Sequence, residues 1–233
     1  MRVAALYDVH GNLPALEAVL AEVDADLILV GGDVAAGPWP SGTLERLRGL
    51  GERVRFIRGN ADRELTEAPK PGRVGGPPPE VMEFVRERLS KEQLSFLGAL
   101  PLVESVEVDG LGGVLFCHAT PRDDEELLTR ISPDDRWREP LAGVEEQVVV
   151  CGHTHTQFDR RVDDVRLVNS GSVGMPYEHE PGAYWTLLGP EVAFQRTEYE
   201  PGDIAGSGWP GEWPSATPEE ATEFFEKFSR DRA

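Results

Sequence analysis

Lysine is almost absent from this chain of 233 residues: Lys70, Lys91 and Lys227 are the full set. Arginine does not close the gap, and 23 basic against 42 acidic side chains leave a formal charge of −19. So acidic a chain is not suited to coating a nucleic-acid polymer, which requires Lys and Arg to neutralise phosphates. It leaves room for a small phosphorylated compound, because bound dications dominate the field of such a site. Cysteine is scarce as well, and two in the chain make no disulfide framework. No apolar stretch is long enough to cross a bilayer, so no membrane partner is expected. Met1–Tyr7 leads straight into the first polar motif, with no charged n-region, long apolar core or cleavage site. The expectation is therefore a cytoplasmic protein without a secretory leader. Histidine is the most informative scarcity. There are five, and all but His179 fall in a few short polar clusters.

With 39% hydrophobic residues the chain can bury a full core, and residues 1–233 are expected to form one domain. Val3–Tyr7, Leu27–Val30 and Val54–Ile57 read as buried strands. Between them, Leu13, Leu16, Val19, Leu20 and Val23 repeat at helical spacing, with Asn12 placed as N-cap and Pro14 in the first turn. Thr43–Leu50 gives a second helix. Strand and helix in alternation predict a parallel sheet with crossover helices. Ala68–Pro79 is too rich in Pro and Gly for regular structure and reads as a surface loop. Two helices follow, Glu80–Arg88 and Lys91–Gly98, the second capped by Ser90, so that residues 63–100 form an insert near the site. From Leu102 the period shifts toward two, and Asp109-Gly110 signals a hairpin. Val114–Cys117, Gln147–Cys151, Gln157–Arg161, Val165–Asn169, Ala183–Leu188 and Val192–Thr197 predict a second, mostly antiparallel sheet. Residues 201–233 add a loop rich in Gly, Pro and Trp, over Gly202–Ser215, and an amphipathic helix over Pro218–Arg230.

Five polar clusters each follow an apolar run: Asp8-Val9-His10-Gly11-Asn12, Gly32-Asp33, Gly59-Asn60-Ala61-Asp62, Cys117-His118 and Gly152-His153-Thr154-His155. Open α/β sheets collect ligands at the carboxyl ends of their strands, where these clusters fall. Asp8 and His10, two apart at a turn, can converge on one ion, and His153 and His155 can reach neighbouring ions. With Asp33, Asn60 and His118 the inventory is two carboxylates, four imidazoles and one amide oxygen. That exceeds one tetrahedral zinc site and suits two ions sharing a bridge. Mixed nitrogen and oxygen donors favour Mn, Fe, Co, Ni or Zn over Ca or Mg.

These motifs, in this order, resemble those of the calcineurin-like metallophosphoesterase superfamily from Val3 to about Leu188. The small bacterial and archaeal phosphodiesterase branch is most similar, on Asp-x-His-Gly-Asn, Gly-Asn-x-Asp and the run Asn169–Gly174 (Asn-Ser-Gly-Ser-Val-Gly). The resemblance implies an α/β fold, a four-layer α/β/β/α sandwich of two mixed β-sheets, with the metal site at the C-terminal ends of strands. It implies two divalent metal ions, one on Asp8, His10, Asp33 and His155 and the other on Asp33, Asn60, His118 and His153. Asp33 is then the bridge, and Asp33, Asn60 and His118 are marked as catalytic as well as ligating. The activity it implies is hydrolysis of a small phosphorylated substrate, most of all a phosphodiester, by in-line attack of a metal-bridging hydroxide.

One departure stands out: where much of the superfamily has a His after Gly-Asn, this chain has Ala61. That His is the usual leaving-group acid or phosphate contact. Arg63 and Arg122 follow the Asn60 and His118 motifs and could grip phosphate, or form ion pairs with Asp62 and Asp123. Asn12 could touch substrate or only cap its helix. His179 reads as a solvated loop residue rather than a replacement acid. Cys117 and Cys151 read as packed apolar thiols rather than thiolate ligands. Trp209 and Trp213 could mark a partner surface or fold back onto the core. Two other activities compete: a protein or dinucleoside-polyphosphate phosphatase, and a non-catalytic binding scaffold of the same fold. The acidic balance speaks against the first, and seven intact ligand positions against the second.

Overall fold

Four apolar residues in a row, as in Val3–Leu6 or Leu27–Val30, make a stable strand only if both sheet faces are covered. The computed structural model, which describes residues 1–69 and 77–230, covers both. Along the chain run β1 (Val3–Leu6), α1 (Leu13–Glu22), β2 (Leu27–Val30), α2 (Pro40–Arg48), β3 (Val54–Phe56) and α3 (Asn60–Thr66). Then come α4 (Pro79–Arg88), α5 (Lys91–Gly98), β4 (Val103–Val108), β5 (Gly112–Cys117), α6 (Asp134–Arg138) and β6 (Val148–Cys151). The chain continues through β7 (Phe158–Val162), β8 (Val165–Asn169), β9 (Ala183–Leu188), β10 (Val192–Thr197) and α7 (Pro218–Arg230).

The strands form two five-stranded sheets. In the first, ordered β10-β9-β1-β2-β3, the β1–β2 and β2–β3 pairs are parallel, and the β1–β9 and β9–β10 pairs are antiparallel. In the second, ordered β4-β5-β6-β8-β7, the β5–β6 and β6–β8 pairs are parallel and the outer two antiparallel. The expected mostly antiparallel second sheet is thus corrected in two respects. The long connection from β5 to β6 gives room for a parallel crossover. And β9 and β10 extend the first sheet, because β9 takes the hydrogen-bonding edge of β1 that β2 leaves free.

Side-chain alternation builds the layers. Val3, Ala5, Tyr7, Leu27 and Leu29 meet Val114, Phe116, Val148 and Val150 between the sheets. Ala4, Leu6, Ile28 and Val30 face outward onto Leu16, Val19, Leu44 and Leu47 of α1 and α2. Leu115, Val149, Cys151 and Leu167 face outward the other way, onto Trp137 of α6 and Leu141. Three apolar interfaces between four layers are the α/β/β/α sandwich that the sequence resemblance implies.

Local chemistry sets most boundaries. Asn12 caps α1, its side-chain oxygen accepting the Ala15 N–H at 3.3 Å. Ser90 and Gln93 cap α5 reciprocally, at 3.1 and 2.8 Å. The second helix begins at Pro40 rather than Thr43, since a proline fits the first helical turn. Two helices escape the sequence reading, α3 and α6. The first opens directly at Asn60, with the Asp62 carboxylate accepting the Gly59 N–H at 3.2 Å. Pro79, expected at the end of a loop, instead opens α4, and most of that loop falls on residues 70–76, outside the described residues. No helix among the described residues is long and apolar enough to cross a membrane.

Tyr7 joins the two sheets. It is fully buried, and its hydroxyl donates to the Val150 carbonyl at 2.9 Å. Tyr7→Phe leaves that carbonyl without this donor and should cost about 1 kcal/mol. In a chain of this size thermal unfolding should then shift down by about 2–4 °C, readable by calorimetry.

Candidate metal centre

The segments that follow β1, β2, β3, β5 and β6 meet at one place, and the backbone there is unusual. Asp8, His10, Asp33, His153 and His155 all have left-handed φ, between 46° and 65°. Asp and His enter this region more readily than most side chains, at a cost of roughly 1–2 kcal/mol. The left-handed turns let residues two apart point the same way while Val9 between them stays in the core. Backbone hydrogen bonds lock the loops together, His10 N–H to the Asp33 carbonyl and Gly11 N–H to the Val34 carbonyl, both at 2.8 Å. The run Asn169–Gly174 braces them from behind. Asn169 donates to the Gly152 carbonyl at 2.6 Å, and Ser172 donates to the Asp8 carbonyl at 2.7 Å.

Each of three imidazoles has its Nδ1 against a backbone carbonyl: His10 on Ala36 at 3.3 Å, His118 on Gly31 at 2.8 Å and His155 on Met175 at 2.7 Å. A carbonyl only accepts, so Nδ1 carries the proton and Nε2 turns a bare lone pair inward. There these lone pairs face other acceptors. His10 Nε2 is 3.2 Å from His155 Nε2, His118 Nε2 is 3.2 Å from Asn60 Oδ1, and His155 Nε2 is 3.3 Å from Asp8 Oδ1. Asp33 Oδ2 lies between, 3.8 Å from His10 Nε2 and 3.6 Å from His118 Nε2. Asp8 Oδ1 and His153 Nε2 are buried without a hydrogen-bond partner.

The electrostatics agree with the geometry at His10, His153 and Asp8, while His118 is held toward its protonated form. Burial pushes His10 down, with His155 adding to it, and pushes His153 down to about 3, helped by His118. Burial raises the Asp8 carboxyl, but His155, His118 and His10 together outweigh it and hold it below the usual carboxylate range. Burial lowers His118, yet Asp33 and Asp8 outweigh it and leave the imidazole raised. A buried cluster of acceptors facing one another is what a site for divalent cations requires, and the residues present fit such ions. Ligand atoms of Asp8, His10 and His155, and of Asp8, Asp33 and His118, lie within 4.8 Å of one another. These groupings put Asp8 in both, where the sequence resemblance has only Asp33 shared.

The other candidates separate clearly. Asn12 is committed to structure: besides capping α1, its amide donates to the Gly174 carbonyl at 2.9 Å and the Tyr199 hydroxyl at 3.1 Å. Arg63 is buried in ion pairs with Asp124, at 2.9 Å, and Glu125. Arg122 pairs with Glu126 at 2.7 Å and Glu139 at 2.8 Å on the surface. The Asp62 carboxylate accepts from Val34 N–H at 3.0 Å, and burial with Asp33 nearby pushes it up to about 7. His179 is exposed and lies 3.4 Å from Glu219. Cys117 and Cys151 are free and buried; burial raises both thiols, Cys151 to about 12, so they pack as thiols.

A cavity of about 880 Å³ opens over the cluster, and His10, Asp33, Asn60, His153 and His155 form part of its wall. Asp8 and His118, fully buried, are not among its lining residues. Sequence reasoning missed Tyr177, whose ring stacks on His155 at 4.9 Å, and Phe225, 6.4 Å from the His153 ring. Tyr177 follows closely on the Asn169–Gly174 run, and that proximity was the one signal pointing to it. Trp209 lines the same cavity and packs edge-on against Phe84 at 5.6 Å, so it folds back rather than standing free.

Comparison with known proteins places this geometry in a family. Residues 1–188 match the calcineurin-like phosphoesterase superfamily domain. The phosphodiesterase YfcE of Escherichia coli K12 is 27% identical over 192 residues, covering 77% of this chain and 83% of YfcE. A metallophosphoesterase structure from Sphaerobacter thermophilus superposes with a TM-score of 0.70 at 24% identity, covering 98% of this chain and 99% of the other. The Pyrococcus horikoshii protein PH1004 gives 0.76 at 20% identity, over 96% and 97% of the two chains.

Gly59 tests the cradle around Asp33. A methyl group there would sit 2.2 Å from Asp33 Oδ1, the oxygen that now accepts the Ala61 N–H at 2.8 Å. Gly59→Ala should displace the carboxylate and weaken manganese binding by about 10–100-fold in calorimetric titration, as loss of supporting contacts does at metal sites.

Proposed function

The chain belongs to the calcineurin-like phosphoesterase superfamily, and on that footing we propose that it is a metal-dependent phosphodiesterase acting on a small phosphorylated compound. One observation carries the reading: buried imidazole lone pairs and carboxylates converge, with Asp8 Oδ1 and His153 Nε2 left unsatisfied, beside a cavity of about 880 Å³. That volume suits a small organic ligand. The phosphodiesterase activity of the E. coli relative supports the choice of ester.

Asp8, His10, Asp33 and His155 would hold one divalent ion, and Asp33, Asn60, His118 and His153 the other, drawn from Mn, Fe, Co, Ni or Zn. When bound, such ions neutralise phosphate oxygens and make a water molecule acidic enough to attack phosphorus. The protein's own part is orientation. Backbone carbonyls fix three ring orientations and tautomers, so those imidazoles need no reorganisation on loading. The Ala61 N–H holds Asp33 from one side, leaving its other oxygen toward the cluster. Asn60 and His153 reach the cavity wall.

Among the described residues no Arg or Lys lines the cavity. The carboxylates of Glu80, Glu212 and Glu220 along the cavity favour the singly charged diester over polyphosphates or phosphoprotein. The scaffold alternative requires lost ligands, and all seven stand in place.

Elemental analysis of protein purified without chelator should find close to two transition-metal ions per chain; one or fewer in well-folded, metal-supplemented protein would sink the binuclear reading. Bis(p-nitrophenyl) phosphate should be cleaved faster than p-nitrophenyl phosphate, and Asp33→Ala should remove both activity and metal.

Ala61 sets a second expectation. Its methyl group is fully buried at the start of α3, and among the described residues the cavity wall carries no imidazole other than the candidate ligands. A missing general acid forfeits roughly 10²–10⁴-fold for basic leaving groups. A plot of log kcat/KM against leaving-group pKa should therefore be steep, with aryl diesters far ahead of alkyl ones. A shallow slope would reveal a proton donor elsewhere.

A further inference from the structure

The cavity over the cluster is not walled by the ligand-bearing loops alone. Much of its far side comes from residues 209–225, which lie beyond the family-matched region 1–188. What they bring is aromatic: Trp209, Phe224 and Phe225, next to Tyr177 and Met175. The wall starts at the ligands themselves. Tyr177 stacks on His155, and the Phe225 ring lies 6.4 Å from both His153 and Tyr177. Phe224 continues it outward, 5.5 Å from Phe225 and 4.6 Å from Phe228, and remains 48% exposed. A large apolar side chain left open at the mouth of a cavity is a contact waiting for an apolar group.

The wall is held rigidly from behind. Glu226, on the buried side of α7, accepts from Thr129 Oγ1 at 2.6 Å and from Ser132. Arg136 donates to Ser229 at 2.8 Å and sits 3.7 Å from Glu226. These polar contacts pin the helix, so Phe224 and Phe225 are presented in fixed positions rather than left to collapse. Around the mouth, Glu80, Glu212 and Glu220 are exposed carboxylates. A substrate with further negative charge meets them at a cost, whereas an uncharged organic group does not.

We propose that this aromatic wall is the subsite for the organic group of the substrate, and that the enzyme takes phosphodiesters bearing a bulky apolar or aromatic substituent. The segment 209–225 then sets specificity, while the ligand cluster supplies the chemistry. The substrate class rests on the phosphodiesterase reading; the binding of an apolar group to the wall does not.

The test has two arms. In the protein as purified, 1-naphthol binding is followed by quenching of tryptophan fluorescence, and Phe224→Ala and Phe225→Ala should each weaken it by at least tenfold. Phe224 is half exposed, so its replacement leaves the fold intact, which circular dichroism would verify. In metal-loaded protein, kcat/KM is measured for methyl, propyl and pentyl p-nitrophenyl phosphate. It should rise by about fourfold per methylene, the ~0.8 kcal/mol that burying a CH₂ yields, and the rise should flatten in both variants. A flat series in an active wild-type enzyme would overturn the proposal and leave the phosphodiesterase reading standing. An inactive protein that still binds 1-naphthol through Phe224 and Phe225 would support the apolar subsite and overturn the hydrolytic reading instead. Phe224→Ala that alters the sedimentation of the protein but not naphthol binding would overturn the subsite in favour of a contact between protein molecules.

Discussion

Like groups facing like across a buried space are the constraint on which the rest of the site depends. Imidazole Nε2 atoms 3.2 Å apart, with carboxylate oxygens close by, repel one another unless positive charge comes between them. The fold supplies the force that holds them there. Two sheets bring the ends of their parallel strands to one place, and each protruding loop is tied to its neighbours by backbone hydrogen bonds. Apolar layers on both faces of both sheets stabilise the arrangement, and Tyr7 links the sheets directly beneath Asp8. Stability and function are thus separated in space: burial is concentrated in the layers, and the strain at the strand ends.

How much of this the sequence discloses varies with the physics involved. Val3–Leu6 and Leu27–Val30 were legible because unbroken runs of buried apolar residues have few other readings. The ligand-bearing clusters were legible because histidine is scarce and clustered, and the structure brings all seven residues together. The sheet membership of β9 and β10 was not legible, since pairing partners far apart in the chain leave no local trace. Helix α3 was hidden for a different reason. Asn60-Ala61-Asp62 reads as the tail of a loop motif, yet the same Asp62 caps the helix that positions Asn60. Arg63 and Arg122 illustrate the limit of motif proximity: both follow ligand clusters in sequence, and both are turned into carboxylate partners.

The far wall of the cavity was also beyond reach. Trp209 and the Phe224-Phe225 pair are separated from the ligand motifs by more than fifty positions, and only tertiary structure brings them over His153. A reading by motif finds the atoms that handle phosphate, because such chemistry constrains residue type and spacing tightly. Recognition of the remaining part of a substrate constrains only shape and polarity, and many sequences satisfy that.

The left-handed backbone at Asp8, His10, Asp33, His153 and His155 has a consequence for stability. Glycine at any of these positions would relieve roughly 1–2 kcal/mol of conformational strain, against about 0.5–1 kcal/mol of extra chain entropy. It would also remove a buried polar group from a crowded cluster. Against this stand the hydrogen bonds the side chains make, such as those Asp8 and Asp33 accept from the His153 and Ala61 N–H groups, so the relieved strain offsets only part of what the fold loses. The apolar layers lie apart from these positions, so the sandwich can outlast the loss of any one side chain at the strand ends.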